Sequence, residues 1–452
     1  MDHVSIPITL DQSSGRDQYK PGRKIFPNQI HIGQRKLFLS ELQFLTLMMD
    51  DFENNAVIVY IGAAPSNHTW QLLTYFPNLK FILIDPASMT LIKDGKHPRN
   101  ITHFDDSSGV VYLSTNEKNK TKDIRVALPN SAYNPNTKIG FSSHPFITKT
   151  MKKADCNKMG RQVPDKDILD LVINSKDQIF IMEEYFTTDM SRTIGSTKDI
   201  LGEVPLYVVS DIRSLGADED NPPEADVILN SYQQLVWSYL LGADGYSFKF
   251  RLPFYSSYQL DGLVEEYLEK EKSFDGADEI RELVKDIWDI DIVENIRNGK
   301  FEYIYNSIEE IEDDELKDER HYGQIQFQVW APVKSSESRL VGTSYNTIKY
   351  YDSSDYENLF YYRNTVYRNQ KNFSHFYANS EEIESNTPDY ALEAKLWEGY
   401  LDRYFQNDDG TPLNSDEYYY TWVTDQIKGL GWYLSPIYRG FKEVRNKISK
   451  KR

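Results

Sequence analysis

Ala56-Val-Ile-Val-Tyr-Ile-Gly-Ala-Ala-Pro-Ser-Asn-His68 runs from an unbroken apolar stretch into a turn of small residues, and Thr69 to Tyr75 behind it has helical spacing. Five apolar residues of six around Tyr60 are what a parallel strand buried on both faces requires. Gly62, Ala63 and Ala64 let a backbone come close to a ligand, and the helix that follows offers its N-terminal N–H groups. About twenty residues further on, Lys80-Phe-Ile-Leu-Ile-Asp85 ends a second apolar run in a carboxylate, where doubly wound α/β folds hydrogen-bond a ribose. The pair reads as the first strand and ligand loop of a nucleotide-type α/β fold. Plain turn chemistry accounts for the same residues, so a nucleoside site needs support from elsewhere in the chain.

Outward from this stretch the strand pattern returns three times, in Asp177 to Met182, Val204 to Asp211 and Gly245 to Arg251, and the second of these again ends in a carboxylate. Leu37 to Met49 and Ala225 to Leu241 carry apolar residues at helical spacing. Strand, helix, strand at these intervals gives right-handed βαβ units, and so a mainly parallel twisted sheet with helices on both faces. Ile325 to Trp330 and Ser338 to Thr343 are strand candidates that close the sheet, and 356–368 and 389–406 look helical. The expected organisation is an N-terminal arm over 1–30 and a core over 31–87, 176–256 and 325–370. Two insertions interrupt it. One is polar and proline-broken, over 88–175, too long for a bare loop in a compact core; the other is acidic and helix-patterned, over 257–324. A helical and irregular region over 371–452 ends in a basic tail.

Composition narrows the function classes. With 452 residues and 13% aromatics, including 32 Tyr, the chain has the makings of a large packed core. No apolar run approaches the ~20 residues of a membrane span, and the start lacks the basic and apolar regions of a signal peptide, so an intracellular location without membrane attachment is expected. One cysteine, Cys156, excludes an internal disulfide and a thiolate zinc cluster, and the eight histidines lack metal-ligand spacing. A net charge of −18 opposes binding to a polyanion. The acid is concentrated between Glu265 and Glu319, however, while Arg439 to Arg452 is mostly basic. A solvated face explains the acidic run as well as any function does.

In open parallel sheets ligands bind at the carboxyl ends of the strands, so Asp85, Asp211 and Lys249 converge there whatever their separation in sequence, and Lys36 precedes a helix able to reach the same edge. Lys249 inside an aromatic strand is equally an edge residue that snorkels to water. Several ordered blocks decide between these readings: Gly33 to Leu45, Val59 to Pro65 with His68, Leu83 to Asp85, Phe180 to Tyr185, Ser210 to Ser214, Phe248 to Phe254, Ala331 to Leu340 and Asp355 to Asn364. In type and order they resemble the poxvirus cap-specific mRNA (nucleoside-2′-O)-methyltransferases, which double as the regulatory subunit of the viral poly(A) polymerase. The resemblance implies a Rossmann-like class I S-adenosylmethionine-dependent methyltransferase fold carrying the two insertions, and a site in the cytoplasm of an infected host or in a virion. It also implies the 7-methylguanosine-capped 5′ end of mRNA as substrate, and a poly(A) polymerase catalytic subunit as partner.

By the same resemblance the catalytic tetrad is Lys36, Asp211, Lys249 and Glu337. Transfer of a methyl group to a ribose 2′-OH must align hydroxyl, carbon and sulfonium and draw a proton from a weakly acidic alcohol. A lysine suits this when burial and a second ammonium lower its pKa, while carboxylates orient it. Gln34 is implied for the methionine carboxylate of the cofactor and Tyr60, Gly62 and His68 for the loop along it. Asp85 is implied for its ribose, Phe180 and Ile181 for its adenine, and Asp211 for the link to the tetrad. Ser66 stands where the family has a glycine, and Ala87 where it has an arginine. A cationic methylguanine suits an aromatic sandwich with a carboxylate. The resemblance implies Phe254 and Tyr19 as the sandwich, Glu357 as the carboxylate and Arg251 beside them. Ser256 replaces a second carboxylate, for which Asp261 is a substitute, and both aromatics also read as ordinary packing residues. The leading expectation is conversion of cap-0 to cap-1 RNA. The alternatives are a non-catalytic RNA-binding or polymerase processivity subunit, and a methyltransferase acting at another RNA position.

Overall fold

A computed structural model describes residues 30–66, 68–87, 89–92, 110–114, 125–127, 148–150, 161–162, 164–213, 222–254, 260–273, 276–304, 324–331, 335–343, 348–352, 356, 360 and 388–405. In chain order the elements are α1 (Ile30–Met48), β1 (Ala56–Ile61), α2 (Thr69–Tyr75), β2 (Leu79–Ile84), β3 (Thr90–Ile92), β4 (Val110–Ser114), β5 (Arg125–Ala127), β6 (Thr148–Thr150), β7 (Arg161–Gln162), α3 (Ile168–Asn174), β8 (Ile179–Met182) and α4 (Thr188–Gly195). There follow β9 (Leu206–Ser210), α5 (Glu224–Leu240), β10 (Gly245–Phe250), α6 (Leu260–Ser273), α7 (Ala277–Trp288), α8 (Ile292–Asn298), β11 (Lys300–Ile304), β12 (Gln324–Phe327), β13 (Ser338–Gly342), β14 (Ile348–Asp352) and α9 (Pro388–Tyr404). The chain divides into two units: Met1–Phe52 with Gln326–Ser338 and Ser354–Arg452, and Glu53–Ile325 with Arg339–Ser353.

The larger unit is built on a sheet in the order β13-β10-β9-β1-β2-β8-β4-β7. Each pairing from β10 across to β7 is parallel. Every residue of β1, β8 and β9 is buried, Tyr60 included, as the apolar runs require of strands covered on both faces. The chain lays β2, β4, β7 and β8 to one side of β1, then returns to place β9 and β10 on the other. The strand order therefore reverses between β1 and β9, and at such a reversal the loops leaving the two carboxyl ends part and open a crevice. The α/β class with a mostly parallel sheet and helices is thus as expected, and the topology is compatible with a Rossmann-like fold.

Local chemistry sets the element ends. Pro205 has no N–H to give a ladder, so β9 begins after it, although the Pro205 carbonyl accepts from Val57 N at 3.0 Å. Ser175 and Asp177 hydrogen-bond each other through side chain and backbone, 2.7 and 3.1 Å, which delays β8 to Ile179. Lys80 at the start of β2 donates to the carbonyls of Val172, Ile173 and Ser175 at 2.6–3.0 Å, closing the C-terminal end of α3. Pro223 opens α5, whose first-turn Glu224 and Asp226 suit the positive end of the helix dipole.

The segment 88–175 contributes β4 and β7 to the main sheet and forms a small separate sheet, β3-β5-β6. In 257–324, α6 and α7 pack on α5, and β11 pairs antiparallel with β14. In the smaller unit α1 packs against α9. Its centre is an ion pair with no exposed side-chain surface, Arg35 with Glu393. Glu393 also accepts from the indole N–H of Trp330 at 2.7 Å and of Trp397 at 3.3 Å. Among the described residues no helix is long and apolar enough to cross a membrane.

Candidate functional site

The turn that leaves β1 is braced by its neighbours on both sides. Gly62 and Ala63 donate to the Ile84 carbonyl at 2.9 and 3.2 Å, and Asp211 N donates to the Ile61 carbonyl at 2.9 Å. Asp85, one residue past β2, accepts from Ala64 N at 3.1 Å and Ala87 N at 2.7 Å, so its carboxylate holds the turn in place. Gly62 has φ +74°, and a Cβ there would sit 2.9 Å from Ile212 N. The backbone that comes close at Gly62 is therefore the exit of β9, which locks the two sides of the crevice together.

Ser66, where the resemblance leads one to expect glycine, has φ +56°, the conformation glycine adopts most easily. Its side chain is fully buried and its Oγ lies 2.6 Å from Thr69 Oγ1. A local hydrogen bond thus supports a backbone state that a Cβ disfavours. His68 and Tyr60 are both buried, with ring centroids 6.4 Å apart. Phe180 and Ile181 are fully buried in β8, two strands from β1 and so about 10 Å across the sheet.

On the other side of the crevice Asp211 follows directly after β9. Arg339 Nη2 donates to its Oδ1 at 2.5 Å, and Arg339 Nη1 to the Ser210 carbonyl at 2.8 Å. Lys249 Nζ lies 3.5 Å from the same Oδ1. β10 sits between β9 and β13, so Lys249 is not on an edge strand, and its side chain is only 14% exposed. The simple snorkelling reading therefore loses its premise. Arg339 lies closer to the shared oxygen than Lys249 does.

The remaining tetrad residues pair within the smaller unit, where Lys36 on α1 makes an ion pair with Glu337 and both side chains are largely buried. Gln34 is two residues earlier on α1, about 200° around the helix axis. The structure thus brings Lys36 to Glu337 and Lys249 to Asp211.

Of the residues assigned to the cap, Tyr19 and Glu357 lie outside the described residues. Arg251 and Phe254 are together in the larger unit, with the guanidinium carbon 4.5 Å from the ring centroid. Arg251 Nη1 and Nη2 donate to the two carboxylate oxygens of Glu224 at 2.8 and 3.1 Å, and Nη1 also reaches the Leu252 carbonyl at 3.2 Å. Glu224 Oε2 accepts from Phe254 N at 2.8 Å as well. Sequence reasoning passed over Glu224 and Arg339. The only signal for Arg339 was a guanidinium inside the apolar run Ser338 to Gly342, and Glu224 lies one residue before the helix expected from Ala225.

A family model described as poly A polymerase regulatory subunit matches residues 8–126. Over that stretch the chain is similar to the poly A polymerase regulatory subunits. The match takes in Gln34, Lys36, Tyr60, Gly62, His68 and Asp85, and so the β1 turn and the carboxylate that braces it. Asp211, Lys249 and Glu337 fall beyond it. A comparison with curated proteins finds no match.

Proposed function

We propose that the chain is a regulatory subunit of a poly(A) polymerase, and that its larger unit also performs S-adenosylmethionine-dependent methyl transfer to the ribose 2′-OH next to an mRNA cap. The observation that carries this reading is the Asp211–Lys249 pair at the strand ends, beside the β1 turn, where the strand order reverses.

The residues around the turn fit the cofactor. Asp85, held beside the turn by Ala64 N and Ala87 N, is the carboxylate assigned to the ribose hydroxyls. On this reading the Gly62 turn, Asp85 and Asp211 hold the adenosyl portion, with Tyr60 and His68 along the turn. Phe180 and Ile181 form the apolar floor toward the adenine. Gln34 is assigned to the methionine carboxylate by resemblance alone. When bound, the cofactor supplies an electrophilic methyl group on a sulfonium.

The chain's own task is to place a ribose hydroxyl in line with that carbon and to take or steer its proton. Lys249, whose nitrogen lies 3.5 Å from the Asp211 oxygen that Arg339 also meets, is assigned that task. Lys36 and Glu337 are assigned as the second amine and carboxylate of the tetrad by resemblance alone. The direct test is radiolabelled methyl transfer to short capped and uncapped RNA, with nuclease mapping of the product. The account expects label only on capped RNA, at the first transcribed ribose; label on a base or on uncapped RNA contradicts it. A second reading, a polymerase subunit without this chemistry, has behind it the regulatory description of the matching family. It predicts no label on any RNA together with stimulation of a poly(A) polymerase.

A further inference from the structure

We infer that Glu224 is a positioning residue that sets the charge of the aromatic slot at Phe254, so that a cationic base is preferred to a neutral one. The inference rests on the cap reading above. It changes the part played by Arg251, from a direct ligand contact to the back wall of the slot.

The geometry leads there in three steps. First, the Arg251 guanidinium lies over one face of the Phe254 ring, 4.5 Å from its centroid, so on the cap reading the base is assigned to the other face. Second, the guanidinium is fixed in that place, because its two terminal nitrogens form a fork with the Glu224 carboxylate and one of them also meets the Leu252 carbonyl. The arginine is nearly buried, its side chain 10% exposed, so solvent contributes little to holding it. Third, Glu224 accepts from Phe254 N, so one carboxylate positions both the ring and the cation behind it.

An uncompensated guanidinium behind the ring would repel a second cation stacked in front, across roughly 8 Å of partly buried space where salt screens poorly. The Glu224 charge cancels that repulsion and leaves the cation–π attraction for the incoming base. A neutral base gains far less from this cancellation. Glu224 therefore acts on the discrimination between methylated and unmethylated guanine more than on binding as such.

The test uses the full-length chain as wild type, Glu224→Gln, and the double variant Glu224→Gln with Arg251→Met. Each is titrated with 7-methylguanosine triphosphate and with guanosine triphosphate, with thermal unfolding recorded for all three. Glutamine keeps an acceptor for Phe254 N but no charge. The expected result is that the m7GTP-to-GTP preference falls about tenfold in Glu224→Gln. GTP affinity changes much less than m7GTP affinity, and most of the preference returns in the double variant. An unchanged preference in Glu224→Gln, an equal loss for both ligands, or a double variant no better than the single one overturns the inference while leaving cap binding intact. A wild type that binds the two ligands equally overturns the cap reading itself, and with it the ligand assigned here.

Discussion

Gly62→Ala separates the two demands placed on the β1 turn. The residue has φ +74°, where an added Cβ costs about 1–2 kcal/mol, partly offset by about 0.4–1 kcal/mol from the stiffer unfolded chain. The new Cβ would also lie 2.9 Å from Ile212 N and 3.1 Å from Asp211 C, both backbone atoms that cannot swing aside. Relief requires the exit of β9 to move, lengthening the Asp211 N to Ile61 O bond; overpacking of this kind costs about 1–3 kcal/mol. The expected total is about 2–3 kcal/mol. Gly202→Ala is the control, since Gly202 has φ +60° with nothing within 4 Å of its added Cβ. Only the conformational part applies there, about 0.5–1 kcal/mol. Urea unfolding of both full-length variants reads the difference as a larger midpoint shift for Gly62→Ala at unchanged slope. Equal shifts would show that the approach of 211–212 to the turn contributes nothing, and the reasoning would fall.

Ser66→Gly relieves the left-handed backbone but loses the bond to Thr69, whereas Ser66→Ala loses the bond and keeps the strain; glycine should be the more stable by about 0.5–1 kcal/mol in chemical unfolding. Arg35→Met leaves the buried Glu393 charge with only its indole donors and should cost about 3–5 kcal/mol, measured the same way; a loss below 1 kcal/mol would mean the pair is not buried as described. Glu271 on α6 has its carboxyl pushed above the usual carboxylate range, first by burial, against the opposing pull of Arg281. The folded state therefore binds its proton more readily than the unfolded chain, and stability falls as pH rises through the window above 4.5. Glu271→Gln should accordingly stabilise the protein at pH 7 and lose that advantage as the pH drops below this window; a gain that is independent of pH would contradict the assignment.

The parts of this fold that were legible in the sequence share one property, that local chemistry alone determines them. β1, β2 and α2 announced themselves because strands buried on both faces must be apolar throughout, and because a parallel sheet places Asp85 and Asp211 at carboxyl ends. α1 was expected from Leu37 but begins at Ile30. Arg35 and Lys36 masked its start, since they enter the interior only through acids about 300 residues or more further on. Long-range pairing hid other features too. Nothing within Lys300–Ile304 foretells β14 as its partner, and Arg339 gains its meaning only when β13 lies beside β10 and within reach of Asp211. Glu224 was invisible for the same reason, since its two partners lie across the α5–β10 connection.

The measurement that bears most directly on the account is methyl transfer by Lys249→Met, made alongside calorimetric titration with S-adenosylhomocysteine. The substitution keeps the length and apolar stem of the side chain but removes the nitrogen 3.5 Å from Asp211. Loss of methyl transfer to capped RNA by at least about a hundredfold, with S-adenosylhomocysteine bound as in the wild type, is the predicted result. Wild-type turnover in the variant would contradict the assignment of the chemistry to this strand end.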